Sequence, residues 1–355
     1  MNQTISVGTR LLCILLIVLI LGSLPLSVSA DEPPTASDSH SAFIDYMNLK
    51  AERLGMMNTH FNDSIGMNNT TTARDFVKLM IHAYTYEALD EVWPAEEYTV
   101  SLGGNAPREV VVKSTIRGNE HLDPYYTILS CKDGELTHLD LRNLAVVLKV
   151  PGSNLKLAVV ALGAFGKNEE ITGSRAAVRQ IADAAMLRYN NPDADISTIE
   201  IPCQCAIACL IPEEGANLDN LTILYEKNAD TKMQMASITK VMTAACLLDV
   251  QKDLEETFTY AYFDTVIGGY YGSDFYVDES ISFHDALYAL LLPSSNITAR
   301  ALAREGGKDI LADGIPEPTL PPEPTEAPTL PPAESSEEQE LPPATLPQNE
   351  PPHLR

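Results

Sequence analysis

Basic residues are scarce in this chain of 355 residues. Lysine and arginine together number 24 against 49 aspartates and glutamates, which gives a formal net charge of −25 at pH 7. A protein that binds nucleic acid or anionic lipid through charge needs a positive surface. The composition therefore argues against nucleic acid as a partner and against electrostatic docking on an anionic membrane.

Cysteine and histidine are also few, with six and seven residues respectively. Five of the cysteines lie beyond residue 30, and an odd number excludes complete internal pairing. Cys205 and Cys209 could point to the same side of one strand, but no histidine cluster accompanies them. We therefore expect no metal and no cofactor, and we interpret the cysteines as ordinary buried residues.

The N-terminus has the pattern of an export signal over residues 1–30. Arg10 precedes the apolar run 11–21, and the small residues at 26–30 offer a cleavage site. The apolar run is short for a full membrane span and is followed closely by Pro25, so we favour cleavage over an uncleaved membrane anchor. In both cases we expect the remainder of the protein outside the cytoplasm, in the region of a cell wall.

Between the signal and residue 313 the chain has the pattern of a mixed α/β domain. Residues 31–40 are polar, and we expect them to be disordered. Residues 191–202 contain two prolines and are predicted to be a linker. Apolar periodicity and turn residues predict helices over 41–54, 174–189 and 285–292, and strands over 144–150 and 155–162.

The C-terminal segment, residues 313–355, has a composition unlike the rest. From residue 315 onward it holds 13 of the chain's 24 prolines, and eight carboxylates against one basic residue, Arg355. Such a segment has too little apolar surface to bury a core. We expect an extended, disordered tail.

The stretch Ser237-Ile238-Thr239-Lys240 carries the strongest chemical signal. A helix that begins near Ser237 would put Ser237 and Lys240 one turn apart on one face. Its N-terminus would direct backbone N–H groups and a partial positive charge toward the serine. The pair would then supply a nucleophile and an amine that can take its proton. The spacing alone is weak support, because Ser153 and Lys156 share it within a predicted hairpin turn.

Ser294-Ser295-Asn296 follows the predicted helix 285–292. Together with Ser237-x-x-Lys240 and the run 224–230 before it, this stretch resembles the serine D-alanyl-D-alanine carboxypeptidases. These are the low-molecular-weight penicillin-binding proteins of peptidase family S11. Their third motif is Lys-Thr-Gly, and the corresponding position here is Lys132-Asp133-Gly134, which comes before the other two motifs in the chain.

The order of the resemblance is reversed along the chain. Residues 41–190 resemble the second half of the family's domain, and residues 203–312 resemble its first half. The chain therefore resembles a circular permutation of that domain, in which 191–202 joins the old ends at little entropic cost. The fold implied is α/β (α+β) and DD-peptidase/β-lactamase-like, with an antiparallel sheet flanked by helices and a helical subdomain. A mis-assembled or fragmentary gene product is the alternative.

The resemblance also implies a role for each catalytic residue. Ser237 would be the nucleophile and Lys240 its base. Lys132 would be the neighbouring cation that lowers the pKa of Lys240. Ser294 would relay a proton to the leaving amine, and Asn296 would orient the substrate and Lys240.

Substrate binding is assigned by the same resemblance to Asp133, Gly134 and Glu135. The backbone N–H groups of Ser237 and Glu135 would form the oxyanion hole. Asp133 stands where the family has a threonine hydroxyl that binds the terminal carboxylate of the substrate. Two negative charges about 4 Å apart repel by about 4 kcal/mol at an effective dielectric of 20, which slows acylation about a thousandfold. Pairing of Asp133 with a cation, its protonation, or its turning away would relieve the repulsion.

The function implied is that of an exported serine-type D-Ala-D-Ala carboxypeptidase. Such an enzyme removes the terminal D-alanine from peptidoglycan stem peptides through an acyl-enzyme on Ser237, and β-lactams would acylate the same serine. The first alternative is a catalytically degenerate relative that binds cell-wall peptides or a partner, because of Asp133. A β-lactamase is less favoured, since the chain has no Glu-x-x-Leu-Asn segment for deacylation.

Overall fold

The computed structural model describes residues 34–117, 126–165, 173–212, 217–266 and 275–316. The predicted export signal and nearly all of the predicted tail lie outside these ranges. The elements belong to one unit that begins at Ala36. The helices are α1 (Ala36–Arg53), α2 (Ala73–Ala83), α3 (Ser174–Asn190), α4 (Lys240–Val250), α5 (Tyr262–Thr265), α6 (Phe283–Leu291) and α7 (Asn296–Asp313). Within the described ranges, no helix has the length and apolar character needed to cross a membrane.

A five-stranded antiparallel sheet forms the centre of the fold, in the order β4-β5-β6-β7-β8. Its strands are β4 (Thr127–Leu136), β5 (Leu141–Lys149), β6 (Lys156–Phe165), β7 (Cys205–Ile211) and β8 (Thr222–Lys227). Three short strand pairs lie outside it, formed by β1 (Thr70–Thr71), β2 (Glu97–Leu102), β3 (Arg108–Lys113), β9 (Met233–Gln234), β10 (Thr257–Thr259) and β11 (Ser280–Ser282). The predicted mixed α/β fold with an antiparallel sheet flanked by helices is therefore confirmed.

Both faces of the central sheet are buried. Successive side chains of β5, β6 and β7 alternate between two apolar clusters, one on each face. Along β6, for example, Val159 packs in one cluster and Val160 in the other. Because neither face meets water, these strands have continuous apolar sequences instead of alternating ones.

Helix α3 covers one face of the sheet, and the remaining helices pack on the other. The predicted helix over 174–189 is confirmed, and Val178, Ile181 and Ala185 on its inner side are fully buried. On the opposite face, α2 contacts the central strands and α4. Thr72 caps α2 by accepting a hydrogen bond from the backbone N–H of Asp75 at 3.1 Å.

Helix α1 begins five residues before its predicted start. Residues 36–40, which were predicted to be disordered, are helical because they pack against α7. A Cβ on Gly307 would lie 1.7 Å from the carbonyl oxygen of Ser39, so the two backbones are in contact. Phe43 packs against Gly306 in the same way. This stabilisation is tertiary and leaves no apolar periodicity in the sequence.

A buried ion pair joins α1 to α4. The Nζ atom of Lys50 lies 2.6 Å from Oδ2 of Asp249, and both side chains are fully buried. The hydroxyls of Tyr46 and Tyr86 donate to the same carboxylate at 2.5 and 2.7 Å. Burial alone would raise the pKa of Asp249, but the charge of Lys50 and these hydrogen bonds hold it below its usual value. The carboxylate is thus fully paired, which a buried charge requires.

Five cysteines lie in the described ranges, and all of them are buried, as predicted for ordinary core residues. They are Cys131, Cys203, Cys205, Cys209 and Cys246. Burial raises the pKa of Cys203 and of Cys209 to about 12, so both remain thiols near neutral pH. The predicted hairpin between β5 and β6 is also confirmed, with Gly152 at a φ of 72° in its turn. Ser153 and Lys156 are therefore a turn and a strand start, not a helical pair.

Candidate active site

Ser237 lies in a 3-10 helix, Ala236–Thr239, and α4 begins only at Lys240. The predicted α-helical start near Ser237 is thus corrected by one turn. A 3-10 helix has three residues per turn, so side chains three positions apart eclipse each other. This geometry places Nζ of Lys240 2.9 Å from Oγ of Ser237.

The backbone before Ser237 is held from two sides. The buried amide of Asn143, on β5, donates to the carbonyl oxygens of Gln234 and Met235 at 2.8 and 2.9 Å. On the other side, a Cβ on Gly66 would lie 1.9 Å from the carbonyl oxygen of Ala236. Sequence reasoning missed Asn143, although a lone amide within an apolar strand was a visible signal.

Lys240 is fully buried and surrounded by oxygen atoms. Besides Ser237, its Nζ contacts Oδ1 of Asn296 at 2.7 Å and the carbonyl oxygen of Ile65 at 3.4 Å. Both of these oxygens can only accept hydrogen bonds. In the neutral amine they take the two N–H groups, and the lone pair is left facing the serine hydroxyl. The arrangement orients Lys240 as a base toward Ser237.

The surroundings also favour the neutral form of this amine. Burial lowers the pKa of Lys240 well below its usual value, and the positive charge of Lys132 lowers it further. The carboxylates of Asp133 and Asp63 act in the opposite direction but do not reverse the shift. A lysine with a lowered pKa can accept the serine proton near neutral pH.

The loop that carries the carbonyl oxygen of Ile65 is organised by Asp63. Its carboxylate accepts hydrogen bonds from four successive backbone N–H groups, those of residues 65–68. Asn69 closes the same loop by donating to the carbonyl oxygen of Asp63 at 2.8 Å and to Oγ1 of Thr239 at 3.1 Å. Sequence reasoning missed this loop, because its contacts with α4 span about 170 residues of sequence.

Ser294 and Asn296 lie at the start of α7. Ser295 caps that helix by accepting from the N–H of Thr298 at 3.0 Å, and Asn296 is its first residue. Ser294 has a left-handed backbone with a φ of 65° and is 8% exposed. Within the described part of the chain its Oγ has no hydrogen-bond partner. A buried hydroxyl without a partner is available to a bound substrate.

Strand β4 passes directly beside the serine. A Cβ on Gly134 would lie 3.0 Å from the backbone nitrogen of Ser237 and 2.8 Å from the carbonyl oxygen of Met235. Only glycine therefore fits this position without displacing the 3-10 helix. The side chain of the next residue, Glu135, turns outward and pairs with Arg142 at 2.9 Å.

Lys132 and Asp133 form an ion pair on β4. Oδ1 of Asp133 lies 2.7 Å from Nζ of Lys132 and accepts a second hydrogen bond from Oγ1 of Thr115 at 2.8 Å. Burial alone would raise the pKa of Asp133, but the charge of Lys132 and both hydrogen bonds hold it below its usual value. Asp133 is therefore a carboxylate paired with a cation. Such pairing is one of the three ways in which, from the sequence, we expect its repulsion of a substrate carboxylate to be reduced.

The structure thus brings Ser237, Lys240, Asn296 and Lys132 together. Lys240 contacts both Ser237 and Asn296, and Lys132 acts on Lys240 through its charge. Ser294 lies two residues before Asn296, and no hydrogen bond joins its side chain to the other four. No group of three histidine, cysteine, aspartate or glutamate side chains with metal-binding geometry occurs in the described ranges. The arrangement of nucleophile, buried amine and adjacent backbone N–H is suited to acyl transfer.

The chain is similar in sequence to known D-alanyl-D-alanine peptidases. The family model of D-alanyl-D-alanine carboxypeptidase matches residues 34–112 and 217–309. A D-alanyl-D-alanine endopeptidase of Escherichia coli strain K12 is 30% identical over 133 residues, which cover 36% of this chain and 40% of the relative. A D-alanyl-D-alanine carboxypeptidase of Streptomyces sp. strain K15 is 31% identical over 138 residues, 38% of this chain and 46% of the relative.

A third relative is a D-alanyl-D-alanine endopeptidase of Pseudomonas aeruginosa. It is 37% identical over 89 residues, which cover 24% of this chain and 29% of the relative. The chain therefore spans less than half the length of each of these three relatives. No solved structure matches it.

Proposed function

This chain is a member of peptidase family S11, the D-alanyl-D-alanine carboxypeptidases, and we propose that it hydrolyses D-Ala-D-Ala amide bonds with Ser237 as the nucleophile. The observation that carries the proposal is the 2.9 Å contact between Oγ of Ser237 and the buried amine of Lys240. The substrate is a peptidoglycan stem peptide. No metal or cofactor takes part in the proposed reaction.

Acylation begins when neutral Lys240 takes the hydroxyl proton of Ser237. The serine oxygen attacks the carbonyl carbon of the substrate, and the negative charge that develops on the carbonyl oxygen is stabilised by the backbone N–H of Ser237 and that of Glu135. The C–N bond then breaks, and Ser294 relays to the leaving amine the proton that Lys240 took from Ser237. Water hydrolyses the ester and restores the free serine. The orphaned, buried Oγ of Ser294 supports its part in this sequence.

We further propose that the domain is a circular permutation, located outside the cytoplasm after cleavage of the export signal. Strands β6 and β7 are neighbours in the central sheet, although helix α3 and residues 191–204 separate them in the chain. A single linker at this point therefore joins the two halves that the family resemblance distinguishes. At the other junction, the start of α1 lies against the last turns of α7.

The ion pair of Lys132 with Asp133 favours one competing function. If the carboxylate of Asp133 keeps Lys132 from acting on the substrate, catalysis is lost and the cleft only binds wall peptides. Covalent reaction of Ser237 distinguishes the two functions, because a binding protein forms no acyl-enzyme.

A fluorescent penicillin tests the proposed function. We expect the purified mature protein to form a covalent adduct over a long incubation, and Ser237→Ala to form none. Ser153→Ala is the matched control, since it removes the serine of the other Ser-x-x-Lys sequence and should leave labelling intact. A folded wild-type protein that is never labelled would favour the binding function.

A further inference from the structure

Three basic residues of the described chain lie near Ser237, namely Lys132, Lys240 and Arg142. Nζ of Lys132 pairs with Asp133 at 2.7 Å, and Arg142 pairs with Glu135 at 2.9 Å. Lys240 is fully buried among oxygen acceptors and is neutral in the proposed mechanism. These three basic residues therefore present no unbalanced positive charge to a ligand.

The carboxylate of the Lys132–Asp133 pair is the more accessible partner. The side chain of Asp133 is 31% exposed, whereas that of Lys132 is 1% exposed. The hydroxyl of Thr115 donates to the same oxygen of Asp133 as Lys132 does. Arg175, which is buried, donates to the carbonyl oxygen of Thr115. An approaching ligand thus meets the negative member of the pair.

Asp133 lies close to the point of attack. It directly precedes Gly134, whose missing Cβ would lie 3.0 Å from the backbone nitrogen of Ser237. Consecutive side chains of a strand point to opposite faces, so the Asp133 side chain does not follow the direction of that Cβ. Its charge nevertheless acts on the buried amine of Lys240, which is in contact with Oγ of Ser237. The groups attached to the scissile amide are therefore within reach of its charge.

We propose that Asp133 makes the site selective for substrates whose leaving residue carries no free carboxylate. The inference rests on the proposed function, because it concerns the amide that Ser237 attacks. Pairing with Lys132 reduces the repulsion of a free carboxylate beside the leaving nitrogen. Asp133 is still the exposed member of the pair, so an uncharged group is favoured over a carboxylate in this partly buried space, where solvent screens charges weakly. A carboxamide or an amine in the same place donates a hydrogen bond to the carboxylate of Asp133. The preferred substrates are internal or amidated peptides.

The covalent chemistry of such a substrate is unchanged. A bond forms between Oγ of Ser237 and the carbonyl carbon, the C–N bond breaks, and the leaving amine takes the proton that Ser237 gave up. Water then hydrolyses the ester. The two kinds of substrate therefore differ only in the charge of the leaving residue, which affects their binding beside Asp133 and not the covalent steps.

Two peptides of the same sequence, each ending in D-Ala-D-Ala, test the inference. One has a free C-terminal carboxylate and the other a C-terminal carboxamide, and kcat/KM is measured for both with the mature protein. We expect wild type to prefer the carboxamide by about tenfold or more. Asp133→Asn, which keeps the shape and removes the charge, should reduce this ratio by about tenfold. Glu109→Gln removes the same charge from an exposed position of β3 and should leave the ratio unchanged.

Penicillin provides a second measurement, because it carries a free carboxylate. The Asp133→Asn variant should therefore be labelled faster than wild type. A wild-type preference for the free carboxylate, or a ratio unaffected by Asp133→Asn, would overturn the inference while the proposed function stands. Cleavage of neither peptide, with no Ser237-dependent adduct, would overturn both.

Discussion

The proposed proton transfer from Ser237 to Lys240 depends on groups from several separate parts of the chain. The amine is in contact with Asn296 and with the carbonyl oxygen of Ile65. Its pKa is lowered by burial and by Lys132. None of these contributions comes from the Ser-x-x-Lys sequence itself, which supplies only the two reacting groups and their spacing.

The balance of charge around Lys240 predicts a pH dependence with a definite sign. Below its pKa, Lys240 is protonated and cannot accept the serine proton, so the acylation rate should rise with pH and level off above it. Lys132→Gln removes a charge that lowers this pKa, so the midpoint should move up by about 1 unit. Asp133→Asn removes a charge that raises it, so the midpoint should move down by a similar amount.

The rate of acylation by a fluorescent penicillin is measured as a function of pH. The quantity compared between variants is the pH at the midpoint of the curve, not the maximal rate. Asp313→Asn, at the exposed end of α7, is the control for a general change of net charge and should leave the midpoint in place. Shifts of both site variants in the same direction would contradict the assignment of Lys240 as the base.

At the scale of the elements, close helix contact explains why α1 begins before its apolar pattern does. Gly306 and Gly307 let α7 approach α1 so closely that the carbonyl oxygen of Ser39 occupies the space of a side chain. The polar residues at the start of α1 are then helical through this contact. Helix propensity alone would disfavour two adjacent glycines within α7.

The packing of α1 on α7 predicts whether an alanine at position 307 raises or lowers the free energy of unfolding. In a free helix Gly→Ala stabilises by about 1 kcal/mol. Gly307→Ala should instead destabilise the protein by about 1–3 kcal/mol, because the new methyl group would overlap the backbone of Ser39. Chemical denaturation measures the change in the free energy of unfolding.

Leu311→Ala is the control in the same helix. Its side chain is 47% exposed, so the substitution should change the stability by less than about 0.5 kcal/mol. An increase in stability for Gly307→Ala would show that α1 is not held against α7 in solution.

At the scale of the whole molecule, the two sequence halves are interleaved through the core. The central sheet takes β4 to β6 from the first half and β7 and β8 from the second. The Lys50–Asp249 pair joins the halves again in the helical layer. Both apolar clusters of the core contain residues of both halves, so we expect the domain to fold as a whole.

The proposed permutation predicts that the order of the halves can be exchanged. A rearranged gene would encode residues 203–312 first, then a short flexible linker, then residues 36–190. Because the start of α1 lies against the last turns of α7, closing this new connection should cost little loop entropy. We expect the rearranged protein to fold and to form a Ser237-dependent penicillin adduct.

Circular dichroism and fluorescent-penicillin labelling of the two versions provide the comparison. Ser237→Ala in the rearranged chain is the control for non-specific labelling. If the original order folds and reacts while the exchanged order remains unfolded, the relation to a permuted domain would be wrong.

Local pattern was enough to predict much of this protein. Apolar periodicity and turn residues predicted several helices and the central strands β5 and β6, because burial of a helix face or of a strand leaves a characteristic spacing of apolar residues. The Ser-x-x-Lys spacing pointed to Ser237 and Lys240, and the family resemblance added Ser294, Asn296 and the remaining central strands. The turn residues around Ser153 also showed that the second Ser-x-x-Lys spacing, Ser153 to Lys156, lies in a hairpin and not in a helix.

Only the tertiary structure decided how those residues act. The 3-10 turn at Ser237 depends on Asn143 and on the contact with Gly66, and the orientation of Lys240 depends on the loop that Asp63 organises. These contacts join residues about 90 to 175 positions apart, so no local periodicity records them. The sequence alone left the state of Asp133 open among three forms. Its pairing with Lys132 is a matter of side-chain direction and burial, which depend on the packed fold.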